Sequence, residues 1–283
     1  MMRPTHAILT CLFLVVLAAS ACTLAEENTA GLFDIGSSAR GLGLGGAFSA
    51  LADDEGAVVH SPAALGWGDG LGVSSLFVQQ FGGAFYGSLG IALPYVGAHV
   101  LVLDSGAIPT DEGTTRFSSQ GVAASVGVPI GMVGVGARWR YYRVSAPTMG
   151  SGWALDPAIL AVASGVRVNL IYEGAVSVPV VYRSGAEETW ERSLRLGASV
   201  TLEPSSDVVW SAALEASGLF TTNVNLALGL ETWIGGLGAR VGFDGVGPTF
   251  GLSLTFDTLQ IDWAFATRSD LGNSHRVALT LRF

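Results

Sequence analysis

Ten charged side chains sit inside apolar stretches of this sequence, and they are the first candidates for chemistry. On a strand register Arg138, Arg140, Arg195, Arg240, Arg276 and Arg282 share one face with Glu215, Glu231, Asp244 and Asp262. Such a set either lines a conduit as a charged ladder or pairs internally to fill a polar lumen and hold another segment in place. Asp262 and Arg276 fall on adjacent predicted strands, so a cross-strand ion pair between them is expected. Other chemistry has little support. The four histidines lack metal-ligand spacing, and the two cysteines, Cys11 and Cys22, form no cluster, so neither a metal nor a cofactor is expected. No Ser, His and carboxylate set suggests a hydrolase, and the chain does not read as an enzyme. The glycines at Gly41, Gly43, Gly45 and Gly46 could evoke a phosphate loop, but no strand precedes them and no Lys follows.

The medium that must surround these charges follows from composition. Only 13% of the 283 residues are charged while 49% are hydrophobic, far from the roughly 25% charged residues of soluble domains. The 39 glycines are too many for a chain of long helices. All 14 basic residues are Arg against 23 acidic ones, a net charge of −9. No basic stripe is present, so nucleic acid is not an expected partner. The absence of Lys hints at a GC-rich genome.

Residues 1–25 read as a secretory signal. Arg3 and His6 open it, an apolar run follows from Ala7 to Ala18, and small residues at Ala19, Ser20 and Ala21 offer a cleavage site. A cut there exposes Cys22 as a candidate for lipidation, although Ala19 stands where a lipoprotein normally carries Leu. Cys11 leaves with the signal, so no internal disulfide can form.

Gly70 to Leu103 contains no charged residue, and a hydropathy window would flag it as a helical span. Recurrent glycines, Pro94 and strict alternation argue for strands instead. Leu237, Ala239, Val241 and Phe243 alternate with Gly238, Arg240, Gly242 and Asp244, and the same period of two runs through 133–142, 208–215, 224–231, 249–256, 258–266 and 275–283. A period of two over many segments, aliphatic and aromatic on one side and small and polar on the other, predicts a transmembrane antiparallel β-barrel. Fourteen strands fit, with 166–182 as one of them, and twelve is the competing count. Short connections alternate with longer ones at 105–116, 145–153, 183–191 and 268–273, which places both chain ends in the periplasm. Trp67, Trp153, Trp190 and Trp233 are expected in interfacial girdles. Lipids of the outer membrane of a Gram-negative-type bacterium are then the chain's surroundings. Phe283 ends an alternating strand, as does the terminal signal read by barrel-assembly machinery.

Residues 34–68 do not read as a membrane strand. Gly41 to Gly46 suits a tight loop, and Ala47 to Ala52 a short helix or turn. The block Ser38-Ala39-Arg40-Gly41-Leu42-Gly43-Leu44-Gly45-Gly46-Ala47-Phe48, then Leu51-Ala52-Asp53-Asp54, then Ser61-Pro62-Ala63-Ala64-Leu65, resembles the N-terminal region of the FadL-like outer-membrane barrels, and especially their PorV/PorQ branch. Near the C-terminus Ile261-Asp262-Trp263-Ala264-Phe265 and Asp270-Leu271-Gly272-Asn273-Ser274-His275-Arg276 also resemble that branch. Ser61 and Ala64 depart from it, standing where the family has Asn and Gly.

The resemblance implies a barrel over 71–283 with residues 26–70 folded into its lumen as a hatch. Arg40, Gly41, Gly43, Gly45, Gly46, Asp53, Asp54, Ser61, Pro62 and Ala63 would form the hatch motif. In FadL-like proteins the hatch blocks the pore, and hydrophobic molecules such as long-chain fatty acids leave through the wall. PorV-like proteins instead serve a type IX secretion system as scaffolds. The resemblance therefore implies either a hydrophobic small-molecule ligand or secretion-system partners.

Overall fold

The computed structural model describes residues 31–33, 35–80, 84–110, 113–146, 148–267 and 273–283. The expected signal peptide and Cys22 lie outside the described residues, as do Asp270, Leu271 and Gly272.

Alternation becomes a closed wall. Strands β1 (Gly72–Gln80), β2 (Ala84–Leu93) and β3 (Val96–Asp104) pair in sequence. A small hairpin of β4 (Ile108–Thr110) and β5 (Gly113–Thr115) intervenes before β6 (Ser118–Ile130), β7 (Val133–Ala146), β8 (Gly150–Ala163) and β9 (Val166–Glu173). After β10 (Val176–Tyr182) and β11 (Glu187–Glu188) the wall continues with β12 (Ser193–Ser205), β13 (Val208–Leu219) and β14 (Asn225–Ile234). It ends with β15 (Leu237–Phe243), β16 (Pro248–Phe256), β17 (Leu259–Ala266) and β18 (Ser274–Arg282). Pairing of Gly72 with Arg282 and Ser75 with Leu279 joins the last strand to the first. Omitting β4, β5, β10 and β11, the ring holds the expected 14 strands, all antiparallel. Closure matters physically because an open strand edge in lipid would lack hydrogen-bond partners.

The predicted register holds. Leu228, Leu230, Val241, Phe250, Leu252, Val277 and Leu279 face outward and are exposed to the surroundings, while Glu231, Arg240, Gly238 and Asp262 between them are buried. The connections differ at the two ends. Six turns at one end have only two residues, at 94–95, 131–132, 164–165, 206–207, 235–236 and 257–258. Ser164 and Gly165 both take positive φ (48° and 80°), the backbone that matches the twist of a tight hairpin. The longer connections gather at the other end. The expected girdle tryptophans divide. Trp153 lies on the outward face of β8, but Trp190 is buried inside and Trp233 lies under the Arg240 guanidinium, 5.5 Å from the ring centroid. Proximity to a strand end does not fix which way a ring points.

One predicted strand is not continuous. Residues 166–182 break at Gly174–Ala175, where Gly174 takes φ +67°. β8 pairs with β9 through Ala158–Ala163, and with β10 through Gly150, Ser151 and Trp153–Leu155. The β9–β12 ladder ends where Ser193 meets Glu173. Beyond that level β10 carries only the short β11 on its far side, and residues 189–192 belong to no strand.

Inside the wall lies the N-terminal segment. Ser38 caps α1 (Ala39–Gly43) by accepting the Gly41 N–H at 3.1 Å. The chain turns through Gly45 and Gly46 at φ +69° and +88°, then forms α2 (Ala57–His60) and a 3-10 turn over Pro62–Trp67. The tight loop expected at 41–46 thus begins as a helical turn. Residues 47–51 are turns, and the Ala52 N–H bonds the Phe48 carbonyl at 2.8 Å. Leu44, Ala47, Phe48, Leu51 and Val58 are buried against Leu160, Ile171 and Ala213 of the wall.

Candidate functional site

The motif residues and the inward charges meet. Arg40 grips Glu231 of β14 with two parallel bonds, Nε to Oε1 at 2.8 Å and Nη2 to Oε2 at 2.6 Å. Its Nη1 reaches Asp53 at 2.5 Å and Asp54 at 3.1 Å within its own segment. Glu231 also accepts from Arg240 at 2.9 Å, and Arg240 reaches Asp262 at 3.2 Å. Asp262 is further held by Ser253 and Gln260. One connected network therefore runs from the segment across four strands. Burial works against the Arg40 charge, but Asp53, Glu231 and Asp54 together hold the guanidinium well above its ordinary range. Burial raises the Asp54 carboxyl to about 6, with Arg40 opposing the rise.

The expected direct pair of Asp262 with Arg276 is not what the register provides. Ala278 lies opposite Asp262, and Arg276 lies opposite Ala264. Arg276 donates instead to the Ile35 carbonyl of the segment. Asp262 reaches Arg240 of β15, across β16, at 3.2 Å. Asp244 serves its own turn, accepting the N–H groups of Val246 and Gly247 at 3.0 and 2.9 Å.

Other wall groups hold the segment's backbone. Glu215 accepts the Phe48 and Ser49 N–H groups at 3.1 and 2.8 Å. Tyr86 donates to Gly36 at 2.8 Å, Thr249 to Gly43 at 3.1 Å and Ser125 to Val58 at 2.6 Å. Arg138 donates to Val59, and Arg282 pairs with Glu55 at 3.0 Å. Inward glycines allow close approach. A Cβ on Gly229 would sit 2.7 Å from the Leu44 carbonyl, and one on Gly136 2.6 Å from the Ala63 nitrogen. Ser61 is fully buried, its hydroxyl without a partner among the described residues, while Pro62 and Ala63 pack on Gly127 and Gly136. Gly41 and Gly43 pack on Phe48 and Arg240, and Phe283 continues the β1–β18 edge through paired bonds with Leu71.

A second charge cluster borders the break in the wall. Asp156 on β8 binds Arg138 and Arg140, both at 2.9 Å, and accepts the Gly174 N–H at 2.7 Å. Glu173 binds Arg138 at 3.0 Å and Arg195 at 3.3 Å, and Arg195 continues to Glu215 at 2.7 Å. The sequence reading named Arg138, Arg140, Arg195 and Glu215 but missed Asp156 and Glu173. Asp156 carried a usable signal, since it alternates with Leu155 and Pro157 as inward residues do.

Between this cluster and the segment lies a cavity of about 350 Å³ that reaches toward the longer connections at Asn223 and Asp244. Phe33, Ile35, Leu42, Val59 and Trp190 are among its apolar lining residues, and His60, Arg138, Arg140, Glu173, Arg195 and Glu215 among its polar ones. The Arg140 guanidinium lies over both Phe33 and Trp190, 5.5 and 5.0 Å from their centroids. Trp190 donates its indole N–H to Val178 of β10 at 2.9 Å, so the ring sits beside the break. Burial, reinforced by Arg195 and Arg138, lowers His60 to about 3, leaving a neutral imidazole on the cavity wall.

No family model and no curated protein matches the chain. Solved structures do. The CymD monoaromatic hydrocarbon channel superposes with a TM-score of 0.61 at 13% identity, over 88% of this chain and 98% of that one. The deltaS2S3 mutant of the TodX monoaromatic hydrocarbon channel gives 0.51 at 12% identity, over 81% and 94%. The Pseudomonas putida toluene transporter TodX gives 0.50 at 13% identity, over 79% and 91%. The likeness is one of fold. This chain shares their closed antiparallel β-barrel, apolar outside and polar within.

Proposed function

We propose that this protein is an outer-membrane channel for small hydrophobic or amphipathic molecules, with its N-terminal segment serving as the hatch. The cavity between segment and wall carries this reading. At about 350 Å³ it exceeds the roughly 150 Å³ that suffices for benzene, and its lining includes aromatic and aliphatic side chains. Its five apolar side chains suit a single substituted ring better than an extended long-chain fatty acid. The charged groups that share the lining would receive a polar substituent. The structurally similar CymD and TodX proteins, described as monoaromatic hydrocarbon channels, support the same size class.

The bonds from Glu231, Glu215, Arg138 and Thr249 hold the segment to the wall on several sides, which supports the hatch role. A solute in the cavity would meet the break beside Trp190, which suits the exit through the wall that the FadL-like resemblance implies. The motif that resembles the PorV/PorQ branch is engaged in holding the segment to the wall. It therefore speaks for a shared architecture, and no observation here favours a secretion partner.

The test is binding of toluene and of a ring bearing one polar group to the purified barrel, read by tryptophan fluorescence and calorimetry, with Trp190→Ala as the variant. Saturable binding that Trp190→Ala weakens supports the channel. A lack of saturable binding by either probe overturns it.

A further inference from the structure

The segment is held unevenly around the wall. Toward β14 to β18 it is fixed by the Arg40 network and the Arg282–Glu55 pair. Toward β6 and β7 it is fixed by Ser125, Arg138 and close glycine contacts. Toward β9 and β12 the attachment is looser. Ser199 reaches the Ala50 carbonyl at 3.3 Å, and Arg167 reaches the Leu51 and Ala52 carbonyls at 3.4 and 3.0 Å.

That same sector holds buried polar atoms with no partner among the described residues. Asn169 on β9 is fully buried, and neither its amide nitrogen nor its amide oxygen is hydrogen-bonded. Directly opposite in the β9–β12 ladder is Gly197, and the Ser49 hydroxyl occupies the space that a side chain there would take. That hydroxyl is also fully buried and unpartnered. An amide has two donors and two acceptor sites, and a buried one left bare costs a large desolvation penalty. Buried groups of this kind are ordinarily satisfied by internal water, which needs between two and four polar partners. Asn169 and Ser49 together supply them.

Position gives this pair a role. The inward row of β9 runs Glu173, Ile171, Asn169, Arg167. Glu173 lines the cavity, and Arg167 lies near the two-residue turn at 164–165, at the same end of the barrel as the C-terminal Phe283. Only fully buried Ile171 interrupts this polar row.

We propose that the interface between residues 47–52 and strands β9 and β12 binds water at Asn169 and Ser49, and forms a hydrated seam through which water and small polar solutes pass between the cavity and the periplasmic end, with Ile171 as its dry constriction. This seam is distinct from the passage of hydrophobic molecules proposed above, and it does not require that passage to exist.

The experiment is stopped-flow osmotic permeability of proteoliposomes holding the full-length protein, for water and for glycerol. Heat-modifiability on gels verifies that each variant is a folded barrel. Ile171→Ser is expected to raise both fluxes several-fold. Leu101→Ser, an equally buried change on β3 away from the seam, is expected to leave them unchanged. Asn169→Leu is expected to reduce the wild-type water flux toward that of protein-free vesicles. Equal rises in both serine variants, or no rise with Ile171→Ser, overturn the proposal. Toluene binding is measured on the same preparations, so its failure bears on the channel reading and leaves the seam to be judged by water flux alone.

Discussion

The carboxylate of Asp156 accepts the backbone N–H of Gly174 at 2.7 Å, across the point where the strand next to β8 breaks. The same carboxylate holds Arg138 and Arg140, and it is fully buried. A strand interruption would otherwise leave an N–H bare inside a membrane barrel, where each unsatisfied backbone group costs several kcal/mol. Asp156→Ala removes that acceptor and leaves two buried arginines short of a partner. Destabilisation by about 3–5 kcal/mol is expected, the usual cost of breaking a buried ion pair from one side. Asp156→Asn keeps an oxygen for Gly174 and should lose less. Urea unfolding of the barrel in detergent, followed by intrinsic fluorescence, gives both values. Equal stability of wild type and Asp156→Ala would contradict the assignment.

The wall was readable because its signal is local. Leu237 to Asp244 alternate so regularly that strand, lumen face and lipid face follow from eight residues and elementary geometry. Parity also placed Glu231 and Arg240 inside. It could not show that Glu231 is shared with Arg40, because the two are 191 residues apart and only closure of the barrel brings them together. The break at Gly174 was hidden for a different reason. A glycine between two strand-like stretches is equally consistent with a continuous strand, and pairing with β8 and β12 decides the matter. Trp190 was misplaced because sequence gives its position along the barrel axis but not its direction once the ladder stops.

Arg40 is the point at which the segment's charge meets the wall. Arg40→Ala would leave Glu231, Asp53 and Asp54 without their shared cation, while Arg240 still neutralises Glu231 within the wall. The barrel is therefore expected to fold, with the segment loosened. Single-channel recordings should show larger and noisier conductance than wild type. Arg40→Lys should rescue only partly, since one ammonium cannot reproduce the paired bonds to Glu231 and also reach both aspartates. Wild-type conductance in Arg40→Ala would show that the network does not hold the segment.

Acid should tighten the segment. The Asp54 carboxyl is raised from 3.8 to about 6 by burial, with Asp53 and Glu55 adding to the rise and Arg40 and Arg282 opposing it. The packed state therefore binds a proton that the released state does not, over the interval between these two values. Linkage then favours the packed state as pH falls through about 6, and that contribution is lost as pH rises through it. Protease cleavage within the segment should be slower at pH near 5 than near 7.5, and Asp54→Asn should flatten the difference. Faster cleavage in acid, absent from Asp54→Asn, would reverse the sign.

The last prediction concerns room for the segment. Gly242 faces inward on β15, and a Cβ built there meets the Leu44 carbonyl at 2.7 Å and the Gly45 backbone still more closely. Gly45 cannot retreat easily, because it holds φ +69° and itself abuts Phe243. Gly242→Val therefore forces a backbone against a backbone, and overpacking of this kind costs about 1–3 kcal/mol or more. The wall is expected to survive, since its ladder does not depend on that side chain, and the segment to shift. Ala239→Val adds comparable bulk on the same strand, but on the outward face, where lipid can yield. Conductance and protease sensitivity of the segment should change in Gly242→Val and stay as in wild type in Ala239→Val. Equal behaviour of the two would mean that the close approach of Leu44 and Gly242 does not constrain the segment.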